Sequence, residues 1–250
     1  MTQPAASPSV TPLCVADDAT FWPWRRWPEF SKWPNPAETL VVVPMAGMSD
    51  WGLGHPLDAE ETLLLQLLKT ALQTHPPRDQ QLLVTPPLRF VFGPDDACAF
   101  GTPPPQVHQF LDEVVESIQL SGFNRIVLYN ASPWNEELTA AAARDLRIRR
   151  GAQMFRISLS GLGFDFRPDR STDRRKVQTL LTHLLGQEPE SSAIENPANL
   201  EESAETGPRF LQAAADQLSE LIAEIQAWPA LPDEGRIPTA IPPDTTPNSS

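Results

Sequence analysis

Short β-rich apolar runs alternate along the chain with longer segments whose apolar residues recur at helical spacing. Thr39–Met45 (TLVVVPM) reads as a buried strand from its length and Val content. Asp58 with Glu61 three residues on resembles a capping box with Asp in the Ser/Thr position. After it, Leu63, Leu64, Leu67, Leu68, Ala71 and Leu72 repeat along one helical stripe. Gln81–Thr85 reads as the next strand, Pro105–Ser121 as a helix stopped by Gly122, Arg125–Asn130 as a strand, Asn135–Arg150 as a helix and Phe155–Leu159 as a fourth strand. A last amphipathic helix, Phe210–Trp228, carries Leu211, Ala214, Leu218, Leu221, Ile222 and Ile225 on one stripe and is expected to dock on the core. This alternation predicts an α/β fold, a three-layer α/β/α arrangement with a mainly parallel sheet and right-handed crossovers. Ligands of such sheets bind beyond the carboxyl ends of the strands, which here means just after Met45, Pro87, Asn130 and Leu159.

Composition adds boundaries. The 250 residues suit one domain, and the reading places it at residues 20–228. Residues 1–19 and 229–250 are rich in Pro, Ser, Thr and Ala and are expected to be disordered tails. Residues 186–207 hold six Glu and no Lys or Arg, and read as an acidic linker or loop within the domain. Residues 144–176 hold ten of the 19 basic residues against four Asp, a solvated basic face or a docking surface for an acidic partner. The overall charge of −13 argues against nucleic acid as a partner, because phosphate neutralisation needs surplus Lys and Arg. Cys14 and Cys98 make no disulfide framework. The first 20 residues lack a basic start and an apolar run, and no stretch approaches the roughly 20 apolar residues of a spanning helix, so neither export nor membrane insertion is expected. The cytoplasm is the expected compartment.

The loops after these strands resemble the creatininase (creatinine amidohydrolase) family. That family carries a strand of the type VVLPVGS followed by E-Q-H-G-P-H-L-P and an acidic residue a few positions later; this chain has VVVPMAGMSDWGLGHPLDAEE at Val41–Glu61. The family's Y-G-x-S … F-P-G-T and G-F-x-R-I-x-x-x-N-G-H-G-G-N segments have counterparts in Phe92–Thr102 (FGPDDACAFGT) and Gly122–Asn135 (GFNRIVLYNASPWN), and the lead-in Trp27-Pro28-Glu29 is similar too. The match covers roughly residues 21–150. It implies a creatininase-like fold, self-association, and a chemistry in which two divalent metals activate a water against a cyclic or linear amide.

Carried over position by position, the resemblance leaves an eroded ligand set. The opening Glu of the first motif falls on Asp50, a shorter carboxylate, and its first His falls on Gly52, which ligates nothing. The second His falls on His55 and the bridging acid on Glu61, although Asp58 and Glu61 also stand where a helix begins and suit a capping role. In the second motif the His falls on Ser132 and a further carboxylate position on Trp134, so both positions are degenerate. Asn130 and Asn135 survive at the pocket rim, where turns and caps also favour Asn. The family's H-A-x-x-x-E-T-S segment corresponds to Ser160–Lys176, which has neither His nor Glu. Of the four His, only His55 is well placed; a substitute oxygen site for Mg or Ca from Asp50, Asp58, Glu61, Asp95 and Asp96 is the remaining metal option.

Rival motifs carry less. Gly161-Leu162-Gly163 lacks the third glycine of a dinucleotide loop, and Ala131-Ser132-Pro133 is no nucleophile elbow; Ser132 reads as an N-cap before Pro133. Phe21, Trp22, Trp24, Trp27, Phe30 and Trp33 are expected to pack on the core or on a neighbouring subunit. Two functions follow. One is a noncatalytic pseudoenzyme that binds a small molecule in the old pocket or serves as an assembly subunit, homo-oligomeric or paired with an active homologue, with Trp51 and Trp134 filling the metal volume and no tightly bound cofactor. The other is a divergent amidohydrolase using Zn, Mn or Mg on Asp50, His55 and Glu61, aided by Asp95 or Asp96, against a small cyclic or acyl amide.

Overall fold

Four short apolar runs build the central sheet, and their composition dictates where it lies. In the computed structural model, which describes residues 20–77, 81–89, 91–93, 97–190 and 197–231, β1 (Leu40–Met45) and β5 (Arg125–Asn130) are buried at every position. Strands without an exposed face belong inside a parallel sheet covered on both sides. Accordingly β3 (Leu82–Val84) and β5 flank β1, β6 (Gln153–Ser158) lies beyond β5, and all pairings are parallel, in the order β3-β1-β5-β6. Register places Val41 beside Leu83 and Ile126, and Met45 beside Asn130, which lies beside Ser158.

The period-two alternation along β1 sorts its side chains into two cores. Leu40 and Val42 join Val127, Tyr129 and Ile157 under α2 (Ala59–Thr74), α5 (Ser171–Leu185) and α6 (Leu200–Ala227). Val41, Val43 and Met45 join Ile126, Leu128 and Met154 against α3 (Pro104–Leu120) and α4 (Glu136–Arg149). The aromatic residues before β1 form a 3-10 turn, Trp22–Trp24, and a short helix α1 (Trp27–Phe30); Trp22, Phe30 and Trp33 close around Phe123 in this second core. The result is the three-layer α/β/α architecture. Among the described residues no helix is long and apolar enough to cross a membrane.

Several elements depart from the sequence reading. The final helix starts at Leu200 rather than Phe210, so residues 200–207 of the expected acidic linker are its first turns. Asn199 caps them, its Oδ1 accepting the Glu202 N–H at 2.8 Å, and Glu201 and Glu202 sit where the helix dipole favours acids. Pro208 lies inside this helix, where a sequence argument stops it. α5 had no bounds in the sequence because its first half is polar. A two-stranded antiparallel ribbon, β2 (Met48–Ser49) with β4 (Cys98–Ala99), is too short to show a period. Asp58 stands at the N-cap of α2 but makes no side-chain cap bond. Asp95 and Asp96, residues 1–19 and 191–196, and residues 232–250 of the second expected tail lie outside the described residues.

The helix start yields a test. Asn199→Ala is expected to lower stability by about 0.5–2 kcal/mol in a urea titration, a loss that a helix beginning at Phe210 would not produce.

Candidate functional site

The helix phase of α2 turns one carboxyl into the space beyond β1 and β5. Glu60 lies in the first turn and has no exposed surface. Its Oε2 accepts the backbone N–H of Gly47 at 2.6 Å and its Oε1 accepts the Trp51 indole N–H at 2.7 Å. Gly47 permits this approach: a Cβ there would lie 3.0 Å from Ser49 Oγ and 3.2 Å from Glu60 Oε2. The hydroxyls of Ser49 and Ser132 face the carboxyl and favour its ionised form, without completing a hydrogen bond of regular geometry. Desolvation outweighs these donors and raises the Glu60 pKa.

Glu60 was not singled out in the sequence, where Glu61 takes the bridging position. A signal existed: Glu60 stands three, four and seven residues before Leu63, Leu64 and Leu67, so it shares the apolar stripe. Glu61 is equally buried but faces elsewhere, and both its oxygens are held by Arg89, at 2.6 Å from Nε and 2.8 Å from Nη2. Asp50 accepts the Gly52 N–H at 2.7 Å and acts electrostatically on Arg174. His55 lies against α5, its Nε2 3.4 Å from Thr182 Oγ1, and burial pulls its pKa down against a backbone hydrogen bond at Gln178. Asp50, His55 and Glu61 are thus each committed to a different protein group.

The degenerate positions are brought together more closely. Ser132 is fully buried and faces Glu60; it precedes a 3-10 turn, Pro133–Asn135, with Pro133 as first residue, but its hydroxyl makes no cap bond. Asn130 Nδ2 donates to the Ser132 carbonyl at 2.7 Å, and Asn135 Oδ1 accepts the Phe92 N–H at 3.0 Å, so both hold the loop after β5. Trp134 stacks on Trp51 with ring centroids 4.2 Å apart and planes 25° apart, and Trp51 also meets Phe166 at 5.5 Å. Trp51 is only 9% exposed. Two stacked indoles therefore stand next in the chain to Gly52 and near Ser132, and Trp134 itself occupies the third degenerate position.

A pair of divalent ions needs several convergent carboxylates or imidazoles. Among the described residues no group of three or more His, Cys, Asp and Glu could hold a metal ion. The described donors do not fit that group: Glu60 is held by the Gly47 N–H and the Trp51 indole, and the other candidates are turned to separate partners.

An α/β/α sheet with its polar cluster at the strand carboxyl ends defines the general class, and comparison with solved structures narrows it. No family model matches the sequence, and no curated protein matches it. Solved creatininases do match. A crystal structure of creatinine amidohydrolase (creatininase) has a TM-score of 0.64 and 12% identity, over 85% of this chain and 100% of that one. A manganese creatininase gives 0.61 and 13% identity over 84% and 100%, and a creatininase mutant of Zn–Zn type gives 0.58 and 13% over 83% and 98%. The fold of this chain is the creatininase fold.

Two opposed pH effects follow from the buried groups. The raised Glu60 pKa means the folded state binds more protons than the unfolded one above the ordinary value of 4.5, so this group erodes stability as pH rises from there. The lowered His55 pKa means the reverse, and stability is lost as pH falls through 6.5. Denaturant titrations across pH are expected to show Glu60→Gln flattening the first slope, with a loss of about 1–3 kcal/mol in acid from its disrupted donors. His55→Gln is expected to remove the second slope only.

Proposed function

We propose that this chain is a divergent creatininase-family member that works without the dinuclear metal centre, as a noncatalytic ligand-binding or assembly subunit. The observation that carries the reading is the dispersal of the donors: Asp50 to Gly52, His55 to Thr182 and Glu61 to Arg89, while a Trp51–Trp134 stack lies beside the positions where ligands are missing. The competing reading, a metal-dependent hydrolase of a small cyclic or acyl amide, draws on Glu60 and on the unpartnered buried oxygens Ser49 Oγ, Ser132 Oγ and Asn130 Oδ1, with Asp95 or Asp96 as added ligands. The Mn and Zn–Zn forms are those of the solved creatininases.

Metal analysis separates the two. Purified protein incubated with Zn, Mn or Mg and freed of unbound ions is expected to retain well under one ion per chain while remaining folded. About two tightly held ions per chain, as a dinuclear hydrolase needs, overturn the noncatalytic reading.

The assembly role draws support from the N-terminal aromatic segment. Trp27 is 55% exposed and Phe110 42%, and with Trp22, Pro86 and Val114 they line an apolar groove of about 540 Å³. Exposed aromatic patches of this kind mark interfaces. The proposed assembly is homo-oligomeric or a pairing with an active homologue, in the cytoplasm. Trp27→Glu is expected to lower the mass measured by light scattering toward that of one chain without lowering thermal stability; an unchanged mass removes this groove from the interface.

A further inference from the structure

The loop that carries Gly52 is held by a cation belonging to the chain itself. Arg174, in the first turns of α5, donates from Nη2 to the carbonyls of Trp51 at 2.6 Å and Gly52 at 3.0 Å, and from Nη1 to the carbonyl of Phe166 at 2.7 Å. Asp50, whose carboxylate takes the Gly52 N–H, favours the charged guanidinium electrostatically and opposes the effect of burial on it. Three backbone carbonyls from two loops with a carboxylate nearby form the donor set of a cation site, and a planar guanidinium with its fork of N–H groups fills it. Gly52 contributes twice. Its φ of +60° is a conformation side chains rarely adopt, and a Cβ built there lies 3.6 Å from Arg174 Nη2. A side chain at this exposed position would start in ordinary van der Waals contact with the guanidinium.

We infer that Arg174 is a built-in replacement for an ion at this loop: the guanidinium supplies the positive charge that fastens residues 50–52 to α5, and a side chain at position 52 competes with it for the same space. This deepens the metal-free reading and rests on it, because it explains why the loop is ordered with glycine in a ligand position. Arg174 acts here as a positioning residue. Lysine would be a poor substitute, since one compact ammonium cannot face carbonyls on two loops in the planar pattern that a guanidinium matches.

Thermal denaturation of the full chain tests the inference through a double-mutant cycle of Gly52→His and Arg174→Ala. The loss of Tm caused by Gly52→His is expected to be several degrees smaller in the Arg174→Ala background than in wild type; equal losses overturn the competition. Millimolar methylguanidinium is expected to restore part of the Tm lost by Arg174→Ala and to leave wild type unchanged, whereas sodium chloride at equal ionic strength restores nothing. Identical responses to the two salts overturn the cation cage. Should the alanine variant fail to fold, Arg174→Lys keeps the charge. It is expected to lose several degrees relative to wild type, and a lysine variant as stable as wild type sinks the proposal. Metal content measured on the same wild-type sample reports separately: retained divalent ions defeat the metal-free reading whatever the cycle shows, and an additive cycle in a metal-free protein defeats the cage alone.

Discussion

The strand-end region is organised around one desolvated carboxyl. Burying Glu60 without exposed surface is unfavourable unless its oxygens find donors, and the local backbone answers that requirement. Gly47 brings its N–H within 2.6 Å because it has no side chain to collide, and Trp51 turns its indole N–H inward at 2.7 Å. Once that indole is fixed, its ring is presented to Trp134 and Phe166, and the loops after β1, β5 and β6 are joined through aromatic contact. The position of Trp51, and with it the closure of the site, depends on a hydrogen bond to a group that would rather be in water.

Charge at this end of the sheet is balanced by guanidinium groups. Arg89 pairs with Glu61 through two parallel hydrogen bonds, the geometry in which arginine is strongest, and Arg174 serves carbonyls and Asp50. These cations are tethered, so holding them in place requires ordering one side chain each, and they do not vary with the supply of an ion. A tethered guanidinium, however, has no open coordination position and lowers no water pKa.

The likeness to creatininases at 12–13% identity, with TM-scores near 0.6, illustrates how little a parallel sheet asks of its side chains. Apolar strands, helices of matching length and right-handed crossovers are enough to reproduce the scaffold, and none of these demands touches the residues at the strand ends. Fold and site vary independently for that reason.

Much of the architecture was legible in the chain alone. Strands β1 and β5 and helices α2, α3 and α4 announce themselves through apolar runs and 3.6-residue stripes, because burial acts on those patterns locally. Ser132, Trp51 and Trp134, singled out in the sequence beyond the strand ends, lie around Glu60: Ser132 faces its carboxyl, Trp51 donates to it, and Trp134 stacks on Trp51. The start of α6 was obscured by Pro208 and by acidic composition, which a cap at Asn199 and the helix dipole accommodate. Which glutamate faces the loops beyond the strand ends was decided by the rotation of α2, since adjacent residues on a helix point about 100° apart; Glu60 met Ser132 and Glu61 met Arg89 only when α2 packed on the sheet. Arg174 lies more than a hundred residues from the loop it holds, and no local periodicity links the two. The sequence by itself determined the layers, because hydrophobic spacing is a local property. Tertiary structure decided the chemistry of the site, because hydrogen bonds and ion pairs form between side chains that only the packed helices bring within 3 Å.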